Sequence, residues 1–282
     1  MSSPAIHETL PEEAVEVFRQ KVFDYYRLNR RSFPWRDTKD RYAVMVSEIM
    51  LQQTQAERVR QKFTAWMERF PDIASLACAS QREVLALWSG LGYNSRGQRL
   101  QACAKVILER FGGVVPCDPA VLLTLPGIGG YTSRSIPAFA DNHDTAAVDT
   151  NIRRIIIHEF SLPENITPTR VQNIADRLLP KGLSREWHNA LMDFGAQHLT
   201  SRRTGIRPLT KQSKFQGSKR WYRGRVLKEL LAAEYMFLEE VEQKYRSCPW
   251  GLGEIIAGLV HEGFIEETDN PYGPGKVLRI KS

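Results

Sequence analysis

Apolar residues recur through the first two hundred positions at intervals of three and four, the spacing that gathers them on one stripe of an α-helix. Val15, Phe18, Val22, Tyr25 and Tyr26 form the first stripe. A Phe33-Pro34-Trp35 loop interrupts it, and Val44, Met45, Ile49 and Met50, then Phe63, Trp66 and Met67, resume it. Further periodic segments cover 81–88, 94–111, 120–125 and 131–140, punctuated by Gly90-Leu91-Gly92, Gly112-Gly113 and Pro126-Gly127. Segments 152–160, 170–179 and 187–199 close the series. Strand-like alternation is nearly absent before residue 200, so the pattern predicts an all-α domain over residues 1–205. Pro137 falls inside one helix, where its missing N–H predicts a kink.

The pattern then changes. Residues 201–228 hold ten basic side chains, among them Arg202, Arg203, Lys211, Lys219 and Arg220, and no Asp or Glu. The whole chain carries a formal charge of +7, so the remainder sums to 7 − 10 = −3. Trp221 and Tyr222 interleave with these charges, as on surfaces that track a phosphate backbone; a solvated linker is the alternative. Residues 206–225 read as a basic linker. Helical segments over 226–233, 237–245 and 252–262 follow, and strand-like 264–266 and 277–280 flank an Asn/Pro/Gly turn that includes Tyr272. Three helices and a hairpin are the order of a winged helix, so residues 226–282 are expected to form a small α+β domain. Its third helix carries Glu254, His261 and Glu262 without Lys or Arg, which suits packing or protein contact as well as groove reading.

With 282 residues, 42% of them hydrophobic, the chain can bury a large core, and disorder as its main state is excluded. Its basic balance favours nucleic acid over membrane as the partner. Neither a run of about 18 apolar residues nor a basic-then-apolar leader is present, so an intracellular protein is expected, in the cytoplasm or nucleoid of a bacterium or the nucleus of a eukaryote. Cys78, Cys103, Cys117 and Cys248 lie far apart and read as reduced thiols, with no metal site.

Three features carry candidate chemistry. The hexad Leu125-Pro126-Gly127-Ile128-Gly129-Gly130 lacks the Gly-Lys-Ser/Thr of a Walker loop and the strand and sixth-position Gly of a dinucleotide fingerprint. A tight turn opening a helix near Tyr131 presents backbone N–H groups to a phosphate instead. Glu48 shares a helix with Val44, Met45 and Leu51, so its carboxyl is expected to be desolvated and raised in pKa, as suits a general acid. Asp149 precedes the helix of Ile152, Ile155 and Ile156 as an N-cap, where N–H donors and the helix dipole are expected to depress its pKa and keep it anionic. Two carboxyls pushed apart make an acid and an anion.

These residues lie in strings that resemble the helix-hairpin-helix DNA glycosylases of the endonuclease III superfamily, and within them the adenine glycosylases. The strings are Phe33-Pro34-Trp35-Arg36, Ser47-Glu48-Ile49-Met50-Leu51-Gln52-Gln53-Thr54, Leu87-Trp88-Ser89-Gly90-Leu91-Gly92-Tyr93, the hairpin, and Val148-Asp149-Thr150-Asn151-Ile152-Arg153-Arg154. The resemblance runs from about Ser32 to Thr200. It implies two helical subdomains with the active site between them, and a monomer acting on double-stranded DNA with a mispaired or damaged base. It assigns Glu48 the protonation of a flipped adenine and Asp149 the stabilisation of an oxocarbenium-like sugar. Tyr131 stands where bifunctional relatives carry a Schiff-base lysine; a phenol forms no Schiff base, so an abasic site is the expected product, with Tyr131 hydrogen bonding near Asp149. Trp35, Arg36 and Asp193 match positions near the base pocket. Gln52, Gln53, Thr54 and Tyr93 match positions that fill the vacated stack and meet the opposite base, and Gly127, Gly129, Gly130, Arg202, Arg203, Lys219 and Arg220 are the expected backbone contacts.

The chain departs from this family in three places, one of them Pro137 in the helix after the hairpin. The four cysteines of an iron–sulfur cluster are missing around Gln197 to Arg203, so no cluster is expected, although a cation at the hairpin fits the resemblance. The domain that reads oxidised guanine is replaced by the shorter winged-helix-like segment. Removal of adenine opposite guanine or oxidised guanine is therefore the leading expectation. Removal of uracil or thymine opposite guanine and a catalytically inactive DNA-binding adaptor are the rivals.

Overall fold

A computed structural model describes residues 10–208, 214–271 and 273–281; Lys211 of the basic run and Tyr272 of the hairpin turn lie outside them. The helices run α1 (Glu12–Asn29), α2 (Arg41–Leu51), α3 (Ala56–Arg69), α4 (Ile73–Cys78), α5 (Gln81–Trp88), α6 (Ser95–Phe111), α7 (Pro119–Leu122) and α8 (Gly130–Ala140). They continue with α9 (Thr150–Glu159), α10 (Pro168–Leu178), α11 (Ser184–Asp193), a π-helical turn (Phe194–His198) and α12 (Ser201–Thr204). After the basic run come α13 (Lys219–Ala232), β1 (Met236–Phe237), α14 (Leu238–Lys244), α15 (Leu252–His261), β2 (Ile265–Asp269) and β3 (Lys276–Ile280). Among the described residues, no helix is long and apolar enough to cross a membrane.

The chain divides into two compact units: Met1–Glu48, Pro116–Thr124 and Ile128–Thr210 in one, Ile49–Val115, Leu125–Gly127 and Lys211–Ser282 in the other. In the first, Val15, Phe18 and Val22 of α1 pack with Ile152, Ile155 and Ile156 of α9 and Trp187 and Leu191 of α11. Phe18 meets Trp187 edge-on, ring centres 5.8 Å apart. Each such buried side chain stabilises the fold by roughly 1.5–3 kcal/mol. In the second, Trp66 of α3 crosses Trp88 of α5 at 5.5 Å and meets Phe70 edge-on at 5.0 Å, and Leu100 and Ile107 of α6 are fully buried.

The C-terminal segment belongs to this second unit. Its sheet has the order β1-β3-β2, with β3 antiparallel to both neighbours and Ile265 facing Ile280. Val226, Leu227 and Leu230 of α13, Ile255 and Leu259 of α15, and Phe264 and Leu278 form its core, and Leu85 of α5 is buried in the same cluster. Polar contacts join the same elements. Gln81 donates to the carbonyls of Gly263 and Phe264 at 2.9 and 3.0 Å, and Arg82 to those of Leu230 and Ala233 at 3.0 and 3.1 Å.

Several elements differ from the periodic reading for local reasons. Helix α4, too short to show a period, is nucleated by a capping box in which Asp72 accepts from the Ser75 N–H and the Ser75 side chain accepts from the Asp72 N–H. Helix α13 begins at Lys219, capped by Ser218, so Lys219 and Arg220 form its first turn and not part of an extended linker; its apolar stripe starts only at Val226. Phe237 pairs with Val277 as a strand before α14 begins. The segment expected as one helix through Leu199 changes to π geometry after Asp193. Helix α8 continues through Pro137 to Ala140, with the Asp141 N–H donating to the Pro137 carbonyl at 3.0 Å.

Candidate active site

Glu48 lies in the last α2 residues of the first unit, 7% exposed. Burial pushes its carboxyl up to about 7, against the Ser135 and Tyr131 hydroxyls that hydrogen bond to it and lower it; the nearby Asp149 adds to the rise. One oxygen, Oε2, is buried with no hydrogen-bond partner among the described residues. A carboxyl at about 7 is half protonated at neutral pH, and its unpartnered oxygen is left to hydrogen bond with an incoming group. The Tyr131 phenol is raised well above its ordinary value, by burial first and then by Glu48 and Asp149, so it stays protonated. Its hydroxyl hydrogen bonds to Glu48, whereas Asp149 acts on it only through its charge.

Asp149 caps α9 as expected: Oδ1 accepts from the Ile152 N–H at 2.7 Å and Oδ2 from the Asn151 side chain at 2.9 Å. The direction of its shift corrects the sequence-based expectation. Burial raises the carboxyl by more than the Ile152 and Asn151 donors and Arg154 lower it, and the net pKa is above the ordinary aspartate value. A cap's donors are visible in the sequence, whereas its desolvation depends on distant residues. Arg154 donates to the Asn151 side chain at 2.9 Å and to the Leu199 and Gly195 carbonyls at 2.7 and 3.0 Å, which ties the Asp149 cap to the π-helical turn. His188 accepts from the Ala147 N–H at 2.9 Å and anchors the approach to Asp149; burial lowers it to about 4, so it is neutral.

Beside Glu48 is a cavity of about 20 Å³ lined by Trp35, Arg36, Val44, Ser47, Phe139, Arg185 and Asn189 as well as Glu48. It holds about one water, so a purine enters only if these side chains open. Trp35 stacks on Phe33 at 4.9 Å with the rings nearly parallel. Asp193, expected near this pocket, is fully buried behind it: Arg36 bonds both its oxygens at 2.7 and 2.8 Å and Arg31 reaches it at 2.5 Å. Burial raises the Asp193 carboxyl, and the two arginines more than reverse that, leaving it low. Ser135, Phe139, Arg185, His188 and Asn189 were missed by sequence reasoning. Arg185 donates to the Phe139 and Ala140 carbonyls at the end of α8, and Asn189 sits one helical turn along α11 from it. Ser135 and Phe139 lie on α8 and Arg185, His188 and Asn189 on α11, and no local pattern in either helix links them to Glu48.

In the second unit, Gln52, Gln53 and Thr54 form the turn after α2, with Gln53 in the left-handed region at φ +56°. Tyr93, at φ +48°, ends the loop after α5. Arg96 is 8% exposed and joins the two turns, donating to the Ile49, Met50 and Gln52 carbonyls at 2.9, 3.1 and 2.5 Å and to those of Leu91 and Gly92 at 3.2 and 3.0 Å. Burial lowers even this guanidinium to about 10. At the hairpin, Gly127 has φ +78°, and a Cβ there would meet Arg99 at 2.9 Å. Gly129 and Gly130 open α8, and a Cβ on either meets nothing within 4 Å. The bare α8 N-terminus is thus open to close approach by an anion. Arg202 and Arg203 lie on α12 with Arg203 capping the Gln197 and His198 carbonyls, and Lys219 pairs with Glu254.

Among the described residues, no group of three or more ligand-type side chains converges on a metal position. Cys103 is buried and its thiol is pushed up to about 12, so it supplies no thiolate. The cysteines of this chain do not fit an iron–sulfur cluster.

Residues 46–181 match the family model of the HhH-GPD superfamily base excision DNA repair proteins. The chain is 33% identical over 270 residues to the adenine DNA glycosylase of Mycolicibacterium smegmatis, covering 88% of this chain and 92% of that one. It is 36% identical over 225 residues to the adenine DNA glycosylase of Mus musculus, of which it spans 44%. A solved thermostable thymine-DNA glycosylase superposes with a TM-score of 0.64 at 28% identity, over 68% of this chain and 91% of that one. Endonuclease III, solved in a trapped covalent intermediate with DNA, shares the fold at a TM-score of 0.61 and 16% identity, over 68% and 89% of the two chains.

Proposed function

The chain belongs to the HhH-GPD superfamily of base excision DNA repair proteins, and on that premise we propose that it removes adenine from mispairs with guanine or oxidised guanine in double-stranded DNA, leaving an abasic site. The observation that carries this reading is Glu48: a buried carboxyl at about 7, with an unpartnered oxygen, beside a cavity walled by Trp35 and Phe139. Leaving-group protonation is the main requirement for breaking a purine N-glycosidic bond. Glu48 passes its proton to a ring nitrogen of the flipped adenine, and the bond electrons leave with the base. The anionic Asp149 stabilises the positive charge that develops on the sugar. Water then attacks the sugar carbon and yields its proton to the Glu48 carboxylate.

Tyr131 keeps Glu48 oriented, and no lysine stands there to form a Schiff base, which supports hydrolysis without strand cleavage. The expected backbone contacts are the α8 N-terminus, Arg202, Arg203, Lys219 and Arg220. A monomer working inside the cell, without an iron–sulfur cluster, fits this reading. The likeness to a thymine-DNA glycosylase supports pyrimidine removal as a second reading, but the adenine relatives match more of the chain at higher identity. Duplexes carrying adenine, thymine, uracil or hypoxanthine opposite guanine, oxidised guanine or cytosine, scored for alkali-labile sites, test the proposal. Adenine released opposite the two purines is the expected result. Release of pyrimidines alone, or of nothing, overturns it.

A further inference from the structure

Tyr93 is an aromatic side chain held at a loop end, 36% exposed, on left-handed backbone that a bulky residue rarely adopts. Such strain persists where its surroundings hold it in place. Here the support comes from two guanidinium groups. Arg96, three residues on, donates its backbone N–H to the Tyr93 carbonyl at 2.9 Å, while its guanidinium bonds the Leu91 and Gly92 carbonyls of the preceding loop and lies 5.7 Å from the Tyr93 ring centre. Arg220 comes from the C-terminal segment, 127 positions away in sequence. Its guanidinium lies 4.8 Å from the same ring centre and donates a hydrogen bond to the phenol oxygen.

The charges around Arg220 sharpen the point. It stands on the first turn of α13, flanked by Lys219 and Arg223. Both flanking cations pair with acids on or beside α15, Lys219 with Glu254 at 3.2 Å and Arg223 with Glu262 at 2.6 Å. The third helix of the winged-helix-like domain thus neutralises its neighbours, whereas Arg220 is turned onto an aromatic ring.

Resting on the reading above that Tyr93 meets the base opposite the extruded one, we propose that Arg220 is a positioning residue. It orders the Tyr93 ring before DNA arrives, so that the C-terminal domain influences opposite-base choice through α13 and not through its third helix. An exposed tyrosine on its own samples several rotamers, and ordering it on binding weakens association. A planar guanidinium over the ring, with one donor on the hydroxyl, removes that freedom in advance.

The test uses the full chain and fluorescent duplexes with an abasic-site analogue facing guanine, oxidised guanine or cytosine, together with single-turnover adenine release on the matching adenine duplexes. Arg220→Ala should shrink the preference for purine over cytosine by about threefold to tenfold. Arg220→Lys, which keeps the cation without the fork, should restore part of it, and Arg220→Ala should change nothing further in a Tyr93→Ala background. Equal weakening on all three duplexes, in both backgrounds, would reduce Arg220 to a phosphate-binding group and overturn the proposal. A wild type indifferent to the opposite base overturns it as well. Failure of the wild type to release adenine overturns the proposed function instead, and the binding measurements still decide the role of Arg220.

Discussion

Arg36 grips Asp193 through two parallel hydrogen bonds of 2.7 and 2.8 Å, so a guanidinium at the cavity wall is held from behind by a carboxylate that does not line the cavity. With Arg31 on the same carboxylate, the cluster is buried and its geometry is bidentate. Asp193→Asn leaves two cations short of their partner and should cost about 3–5 kcal/mol in urea unfolding at neutral pH. The folded pKa of Asp193 lies below its ordinary value of 3.8. Its stabilisation is therefore complete above that value and lost as pH falls through the folded one, so the gap between wild type and variant should close in acid.

Glu48→Gln should lower adenine release by about 10²–10⁴-fold while leaving mismatch affinity largely intact. The amide has nearly the same volume but no acidic proton. Quantified abasic sites and a parallel binding titration separate the two effects, and release at the wild-type rate by this variant would contradict the assignment.

The pH profile of release should be bell-shaped. Above about 7 the protonated fraction of Glu48, and with it the rate, should fall about tenfold per pH unit. The acid limb should come from Asp149, at a value above the ordinary aspartate range because burial raises it. Stability follows from the same shift. A carboxyl moved from 4.5 to about 7 destabilises the fold because the unfolded chain ionises at lower pH than the buried group, so the penalty is absent below 4.5, grows between the two values and is complete above about 7. Glu48→Gln should therefore stabilise the protein by up to ~3 kcal/mol at pH 8 and by almost nothing at pH 4, read by denaturant unfolding at each pH.

Leu85→Ala should destabilise the protein by about 2–5 kcal/mol, because Leu85 is 2% exposed within the core of the C-terminal segment. Differential scanning calorimetry of the full chain measures the loss.

Replacing Arg202, Arg203, Lys219 and Arg220 by Gln should weaken binding to every duplex and flatten the plot of log K against log salt by about one unit of slope for each DNA phosphate that the variant no longer neutralises. Affinity titrations at several salt concentrations provide the slope. An unchanged slope would mean that these charges do not neutralise DNA phosphates.

How much of this protein its sequence determines depends on the range of the interactions involved. The helical stripes, the Asp149 cap and the absence of a lysine at Tyr131 could all be read from the chain, because each follows from residues within a turn or two of one another or from chemical identity alone. The rise in the Glu48 pKa was legible too, since its own helix already surrounds it with apolar side chains. Helix α4 was missed for the opposite reason: its six residues are too few to show a period, although its capping box is local. Tertiary structure alone decided the rest. Donors at a cap are local but burial is not, which is why Asp149 is raised and not lowered. Asp193 is withdrawn from the cavity by Arg31, 162 positions away, and Tyr93 is braced by Arg220, 127 positions away. A cavity wall shared by Glu48, Phe139, Arg185 and Asn189 exists only when α2, α8 and α11 pack together. Desolvation and long-range ion pairing are properties of which segments meet, and no periodicity along the chain encodes that meeting directly.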